Sequence, residues 1–240
     1  MSAFFSMVHH GVVQVLTDGA VYKPDGTLIS IEQKIYYSDR LPVAITGRGN
    51  SEKLRSAAMG LLRFDMFGSV DKLLAYVADF AKQAENRNRT APLSSSDAFE
   101  LLICAFSETA GPVTFYFTTH SYSGVEAMRL HMVQDMVFGA GGDITDGDLS
   151  SIGVTAQQYE EEGLNFLRKR GVEIFELMRN RKGKNPVRPE QEIYGIGGHC
   201  QLTTISESGV VVETLKVWPD KVGEKIDPFR VEQAHELEDA

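Results

Sequence analysis

The sequence predicts an α+β fold in which two antiparallel sheets pack face to face with helices on their outer faces. Strand-like segments come first, then two amphipathic helices, more strands, a long helix and two last strands. This order does not alternate strand with helix as a parallel sheet would require. Glycine, proline and aspartate clusters separate the strands at short intervals. The 240 residues, 42% of them apolar, suffice to bury the core of one large domain.

The first strand, residues 3–8, is expected to turn at His9-His10-Gly11 and pair with residues 12–16. Lys23-Pro24-Asp25-Gly26 suits a tight turn leading into the alternating run 28–37, expected to pair with 12–16. Lys34 falls on the polar face of that run, and Ile29, Ile31, Ile35 and Tyr37 fall on the other. A strand over 43–46 precedes Gly47-Arg48-Gly49, which reads as a turn at a helix start. Leu54, Ala57, Ala58, Leu61 and Leu62 then recur at helical spacing, with Asn50 or Ser51 available as the cap. Ser69 can cap a second helix carrying Val70, Leu73, Leu74, Val77 and Ala81 on one face.

Strands over 100–106 and 113–119 flank the hairpin Glu108-Thr109-Ala110-Gly111-Pro112. Thr155 and Gln158 form a capping-box pattern at the head of one long helix. Leu164, Leu167, Ile174 and Met178 make its inward line, while Tyr159, Phe166 and Phe175 lie partly off that line and are expected at a contact between copies. Strands over 198–205 and 210–217 turn at Glu207-Ser208-Gly209. Residues 1–230 form the single domain, and 231–240 an acidic, solvated tail.

With 24 basic and 33 acidic side chains, the net charge of -9 argues against a nucleic-acid partner and against an anionic membrane surface. The two cysteines, Cys104 and Cys200, each sit in an apolar run, which points to core positions and a reducing compartment. No apolar stretch approaches the roughly 20 residues of a membrane helix, and the opening Met-Ser-Ala-Phe-Phe lacks a basic signal region. A cytoplasmic location is expected.

Three residues carry the chemistry by their spacing: Ser2, Asp18 and Lys34 stand at equal intervals. Around them lie Leu16-Thr17-Asp18-Gly19-Ala20, Lys34-Ile35-Tyr36, the strand 43–46, Gly47-Arg48-Gly49 and Ser107-Glu108-Thr109-Ala110, followed by Val137-Phe138-Gly139-Ala140-Gly141-Gly142. In these features the chain resembles proteasome β-subunits and the bacterial peptidase HslV, of the N-terminal-nucleophile hydrolases, most closely over residues 2–120.

The resemblance implies the four-layer αββα sandwich of that family and hydrolysis of amide bonds in peptide or other amide substrates. It also implies assembly into homo-oligomeric rings, with neither cofactor nor metal. Ser2 would be the nucleophile, Asp18 and Lys34 its partners, and a backbone N–H of Gly47, Arg48 or Gly49 the oxyanion donor.

The residues fit those roles chemically. With Met1 removed, the α-amine of Ser2, of ordinary pKa about 7.7 to 8, can take the hydroxyl proton near neutral pH. Lys34 would stabilise the alkoxide and depress the amine pKa, and Asp18 would hold Lys34 in place. Each residue alone is ordinary: a second residue, a turn aspartate, a lysine on a polar strand face.

The chain departs from the family pattern in three ways. Serine replaces threonine as nucleophile, Ala140 stands where a supporting serine belongs, and Glu192 and Gly195 align with a later acidic residue and serine. A proteasome-like protein with a decayed site and a structural role is therefore the alternative, and a small-molecule binding module a third reading.

Asp143, Asp146 and Asp148 lack the full spacing of a calcium loop and read as an acidic loop. Tyr194-Gly195-Ile196-Gly197-Gly198 precedes a strand rather than a helix, which excludes a dinucleotide fingerprint. His199 and Cys200, being adjacent in a strand, point to opposite faces and cannot form a nucleophile-base pair. His9, His10, His120 and His131 show no metal-ligand spacing. Lys225, Asp227 and Trp218-Pro219-Asp220 acquire no role from the sequence.

Overall fold

The computed structural model describes residues 3–90, 93–121, 125–134, 137–140, 144–184 and 190–230, with the backbone alone at Ser95 and Ala140. Met1, Ser2, Gly141, Gly142, Asp143 and the tail 231–240 lie outside the described residues.

Strands β1 (Phe4–His9) and β2 (Val12–Asp18) form the expected first hairpin. His10 and Gly11 both take positive φ, 45° and 77°, the two-residue turn whose twist matches that of the flanking strands. The turn at Lys23 to Gly26 also forms, closed by the Gly26 amide donating to the Lys23 carbonyl at 2.9 Å. It joins β3 (Ala20–Tyr22) to β4 (Leu28–Ile31), and β2 takes no part in that ladder.

The run 28–37 is not one strand. Residues 32–35 leave the β3–β4 ladder, and β5 (Tyr36–Tyr37) belongs to a different sheet, so Lys34 lies in an irregular segment between the two. Because β4 pairs only within the small β3–β4 ribbon, Ile29 and Ile31 stay exposed while Ile35 is buried in the core.

Strand β6 (Val43–Gly49) extends through Gly47-Arg48-Gly49, which is strand and not a turn. Glycine is required at position 47 because a Cβ there would lie 1.9 Å from the Glu100 carbonyl oxygen and 2.9 Å from a Leu54 methyl. The chain thus brings β6 against its neighbour strand and the next helix more closely than any side chain permits. That helix, α1 (Ser51–Leu62), is capped by the Asn50 side chain, which accepts from the Lys53 amide. It buries Leu54, Ala58, Leu61 and Leu62.

Helix α2 (Val70–Thr90) follows, then β7 (Phe99–Ser107) and β8 (Gly111–Thr118). The Ser107-Glu108-Thr109-Ala110 motif acquires a structural purpose here. Glu108 accepts from the Val70 and Asp71 amides at 2.7 and 2.8 Å, capping the positive end of α2 from the hairpin. Ser107 accepts from the Thr109 and Ala110 amides and donates to Asp71.

The chain continues through β9 (Leu130–Met132), β10 (Val137–Ala140), α3 (Asp146–Ser151), α4 (Ala156–Glu162) and α5 (Phe166–Arg179). The short β11 (Gly183–Lys184) and β12 (Glu192–Ile193) and the hairpin of β13 (His199–Ser206) and β14 (Gly209–Val217) complete it. The long helix expected from Thr155 is broken. Its capping box forms at Thr155 and Gln158, but Gly163 takes φ 53° and ψ -129°, which ends α4, and α5 starts after a short 3-10 turn over Gly163–Asn165. The break turns Leu164 outward and Phe166 and Phe175 into the core, at 4% and 0% exposure, so the expected contact between copies through those two phenylalanines is excluded. Tyr159 instead stacks on His10, ring centroids 5.6 Å apart.

The result is a mixed α+β fold with two five-stranded antiparallel sheets, β10-β1-β2-β13-β14 and β5-β6-β7-β8-β9. One apolar cluster joins the two sheets through Phe4, Val13, Val15, Ile205, Ala44, Leu102, Cys104 and Tyr116. Val43, Ile45, Leu101 and Ile103 face α1 and α2. Leu16, Cys200 and Leu202 face Leu167, Ile174 and Phe175 of α5. Alternate residues of β2, β6, β7 and β13 thus enter different clusters, as the two-residue period of a strand buried on both faces demands. Among the described residues no helix is long and apolar enough to cross a membrane.

Both cysteines are buried and free, and burial pushes their thiols up to about 12, so both stay neutral and unreactive. His9 is buried against Gln14, whose side-chain oxygen lies 2.9 Å from its Nε2. Burial lowers its pKa below 6.5, partly opposed by the Gln14 bond and reinforced by His10. The unfolded chain therefore binds a proton more readily than the folded one, and stability is full above pH 6.5 and falls as pH drops from there toward the lowered folded value. The melting temperature is expected to fall between about pH 7 and about pH 5, and to fall less in His9→Gln. Equal slopes in the two proteins would remove His9 as the cause.

Candidate functional site

Asp18 ends β2 and is fully buried, yet it carries a complete set of donors. The Ala3 amide donates to Oδ1 at 3.1 Å, and the Ala20 amide and Lys34 ammonium donate to Oδ2 at 3.1 and 2.9 Å. The Gly197 amide approaches Oδ2 at 3.4 Å. A buried carboxylate needs this many donors to offset the water it loses.

Lys34 is nearly as enclosed, with 12% of its side chain exposed. Thr46 of β6 donates its hydroxyl to the Lys34 carbonyl at 2.9 Å, so the irregular 32–35 segment is pinned to the strand that carries Gly47. Burial lowers the Lys34 pKa, and the attraction of Asp18 and Glu32 restores only part of the loss. An ammonium held this way gives up its proton more readily than an ordinary lysine.

The structure thus brings Asp18 and Lys34 together, with Thr46 and Gly47 alongside. Ser2 lies outside the described residues, but its neighbour Ala3 is buried and tied to Asp18. Arg48 pairs with the buried Glu100, which also stands 3.4 Å from His120 Nε2, and this accounts for the Arg48 charge within the strand pair. Gly49, at φ 106°, ends β6 against the Ala98 carbonyl.

The later family positions fare differently. Glu192 is exposed in the small β11–β12 ladder, and Gly195 is buried without a side chain to offer. The backbone after Gly195 nevertheless reaches the site: the Gly19 amide donates to the Gly197 carbonyl at 2.9 Å. The Tyr194 to Gly198 segment runs into β13, in keeping with the rejection of a dinucleotide fingerprint.

The segment Trp218-Pro219-Asp220 gains its role here. Arg179 of α5 and Asp220 form a two-pronged ion pair at 2.7 and 2.8 Å, with side chains 3% and 2% exposed. Arg179 also donates to the Ile196 carbonyl at 2.7 Å, and Asp220 accepts from the Gly198 amide at 2.7 Å. The guanidinium lies 4.9 Å from the Trp218 ring centroid. Together these groups fix residues 196–198, and through Gly197 they fix the backbone at Gly19 beside Asp18. Sequence reasoning missed this network because its members are far apart in the chain. The sequence offered as clues only a tryptophan and an aspartate in one segment and, far from them, a basic helix end.

Asp148, one of the acidic-loop residues, caps α3 by accepting from Thr145 and pairs with Arg181, which holds its carboxyl well below the usual range. Asp143 lies outside the described residues. His199 is half-buried, and its ring lies over Gly19, while Cys200 is fully buried. Compared with known proteins, the chain matches no family model and no curated relative.

Proposed function

We propose that this chain is an N-terminal-serine amide hydrolase with the four-layer αββα fold of the proteasome and HslV group, acting on peptide or other amide substrates in the cytoplasm. The observation that supports it most is the Asp18 carboxylate, which holds Lys34 with one oxygen and the amide of Ala3, the residue after Ser2, with the other. A buried ion pair is weak evidence for stability, because desolvation offsets much of the attraction, so its placement beside Ala3, the residue after Ser2, is better explained by chemistry than by folding.

In this reading the Ser2 amine, exposed by removal of what precedes it, accepts the Ser2 hydroxyl proton. The Ser2 oxygen attacks the amide carbonyl, and the same amine returns a proton to the leaving nitrogen. Lys34 supplies the positive charge that stabilises the attacking oxygen, and Asp18 keeps that charge in position. The β6 backbone at Gly47, beside the pinned Lys34 carbonyl, is the place for the oxyanion donor.

Ser2→Ala is expected to abolish amide hydrolysis and leave the melting temperature nearly unchanged, because it removes a single hydroxyl. Hydrolysis of a peptide-anilide panel at equal rates by both proteins would sink the assignment.

The exposed Glu192 and the missing side chain at Gly195 favour a second reading, a proteasome-like protein with a structural role. Intact mass from the native host separates the two, since a protein that retains Met1 cannot use the Ser2 amine. Ring assembly belongs to both readings, and light scattering tests it: a stable particle of 26.5 kDa would refute it.

A further inference from the structure

His199 opens β13, and its imidazole occupies the space where a side chain on Gly19 would be. A Cβ built on Gly19 would come within 2.4 to 2.8 Å of three ring atoms. Gly19 directly follows Asp18, and the sheet pairs Asp18 with Cys200, the residue after the histidine. The amides of Gly19 and His199 both donate to the Gly197 carbonyl, at 2.9 and 3.0 Å, so one acceptor holds the two residues together. The ring is half-buried, and its Nε2 is buried without a hydrogen-bond partner among the described residues.

Each element around the ring contributes a charge or a polar group: Asp18 from β2, Lys34 from the 32–35 segment, and Gln201 from β13 itself. Behind Gly197 and Gly198 stand Arg179 of α5 and Asp220 of the segment after β14, neutralised by each other. Burial lowers the His199 pKa most. Asp18 pulls it upward, Lys34 pushes it further down and Gln201 raises it slightly, and burial prevails. At neutral pH the ring is an uncharged wedge beside an ion pair.

We propose that His199 is a positioning residue of the Asp18–Lys34 site, its neutral ring seating Gly19 directly after Asp18 and its protonated ring adding a second positive charge to the field of that ion pair. A proton gained by His199 brings a second positive charge near Lys34, which favours release of a proton from the lysine. The link to hydrolysis rests on the proposed function; the coupling between His199 and Lys34 does not.

The test is an NMR titration of the His199 ring in the wild type and in Lys34→Met. Removing the lysine charge is expected to raise the His199 pKa by about 1 unit, since Asp18 then acts on it unopposed. An unchanged titration overturns the proposal. Should Lys34→Met fail to fold, the wild type alone decides: the Lys34 side-chain carbon resonances must move in step with His199, and a flat response overturns it equally.

Activity gives the second readout. The acid limb of the wild-type kcat profile is expected to follow the His199 titration and to shift to lower pH in His199→Gln, whose amide fills similar space without titrating. An acid limb identical in the two proteins overturns the proposal. A wild type that hydrolyses no amide refutes the hydrolase reading, and the NMR comparison still decides the coupling.

Discussion

Asp220→Ala is expected to destabilise the protein by about 3 to 5 kcal/mol, the usual cost of leaving one member of a buried ion pair without its partner. The stranded group is Arg179, whose side chain is 3% exposed and cannot reach water without dragging α5 or residues 196–198 with it. The Gly198 amide loses its acceptor at the same time. Denaturant unfolding measures the effect as a lower midpoint with an unchanged slope. The double variant Arg179→Met with Asp220→Leu is expected to recover much of the loss, because it buries no charge. A single variant as stable as the wild type would show that the pair is dispensable.

The recovered double variant is also informative about the site. It restores packing but not the hydrogen bonds from Arg179 to Ile196 and from Gly198 to Asp220. The segment that accepts from Gly19 is then less firmly held, and a protein that folds well while hydrolysing poorly would separate the two roles of the network.

Lys34→Ala is expected to lower the rate of amide hydrolysis by about 100- to 1000-fold, the range found when one preorganised electrostatic group is removed from an active site. It also leaves the fully buried Asp18 carboxylate facing only backbone amides, and stability falls with it. Lys34→Arg is not expected to restore activity, because a planar guanidinium cannot place one compact charge in the space of the ammonium. Steady-state kinetics on a fluorogenic amide decide the matter. Full activity in the arginine variant would make Lys34 a distant charge rather than a neighbour of the reacting oxygen.

Much of the fold was legible because the features that set it act over a few residues. The first hairpin needs positive φ at adjacent positions, and His10-Gly11 supplies it. The α1 cap at Asn50 and the capping box at Thr155 and Gln158 are satisfied by atoms three residues apart. The two-residue alternation of β2, β7 and β13 places their side chains on opposite faces wherever the strands go. Asp18 and Lys34, picked out by spacing and resemblance, meet at 2.9 Å.

Contacts distant in the chain decided the rest. Periodicity treated 155–179 as one helix, but Gly163 ends the first part of it: Leu167, Ile174 and Met178 are buried as expected, while Leu164 goes out and Phe166 and Phe175 go in. Alternation treated 28–37 as one strand, but among the described residues β4 forms its ladder with β3, and the Lys34 carbonyl accepts from the Thr46 hydroxyl instead of a ladder amide. Gly47-Arg48-Gly49 resembles a turn by composition and is a strand because it pairs with Phe99 to Leu101 of β7, a neighbour that also crowds position 47. The sequence by itself determined the hairpins, the caps and the pair of charges worth watching, because those depend on neighbours along the chain. Only the tertiary structure decided that His199 seats Gly19 and that Arg179 and Asp220 hold the loop beside Asp18, because the free energy of burying a charge depends on which distant groups come to meet it.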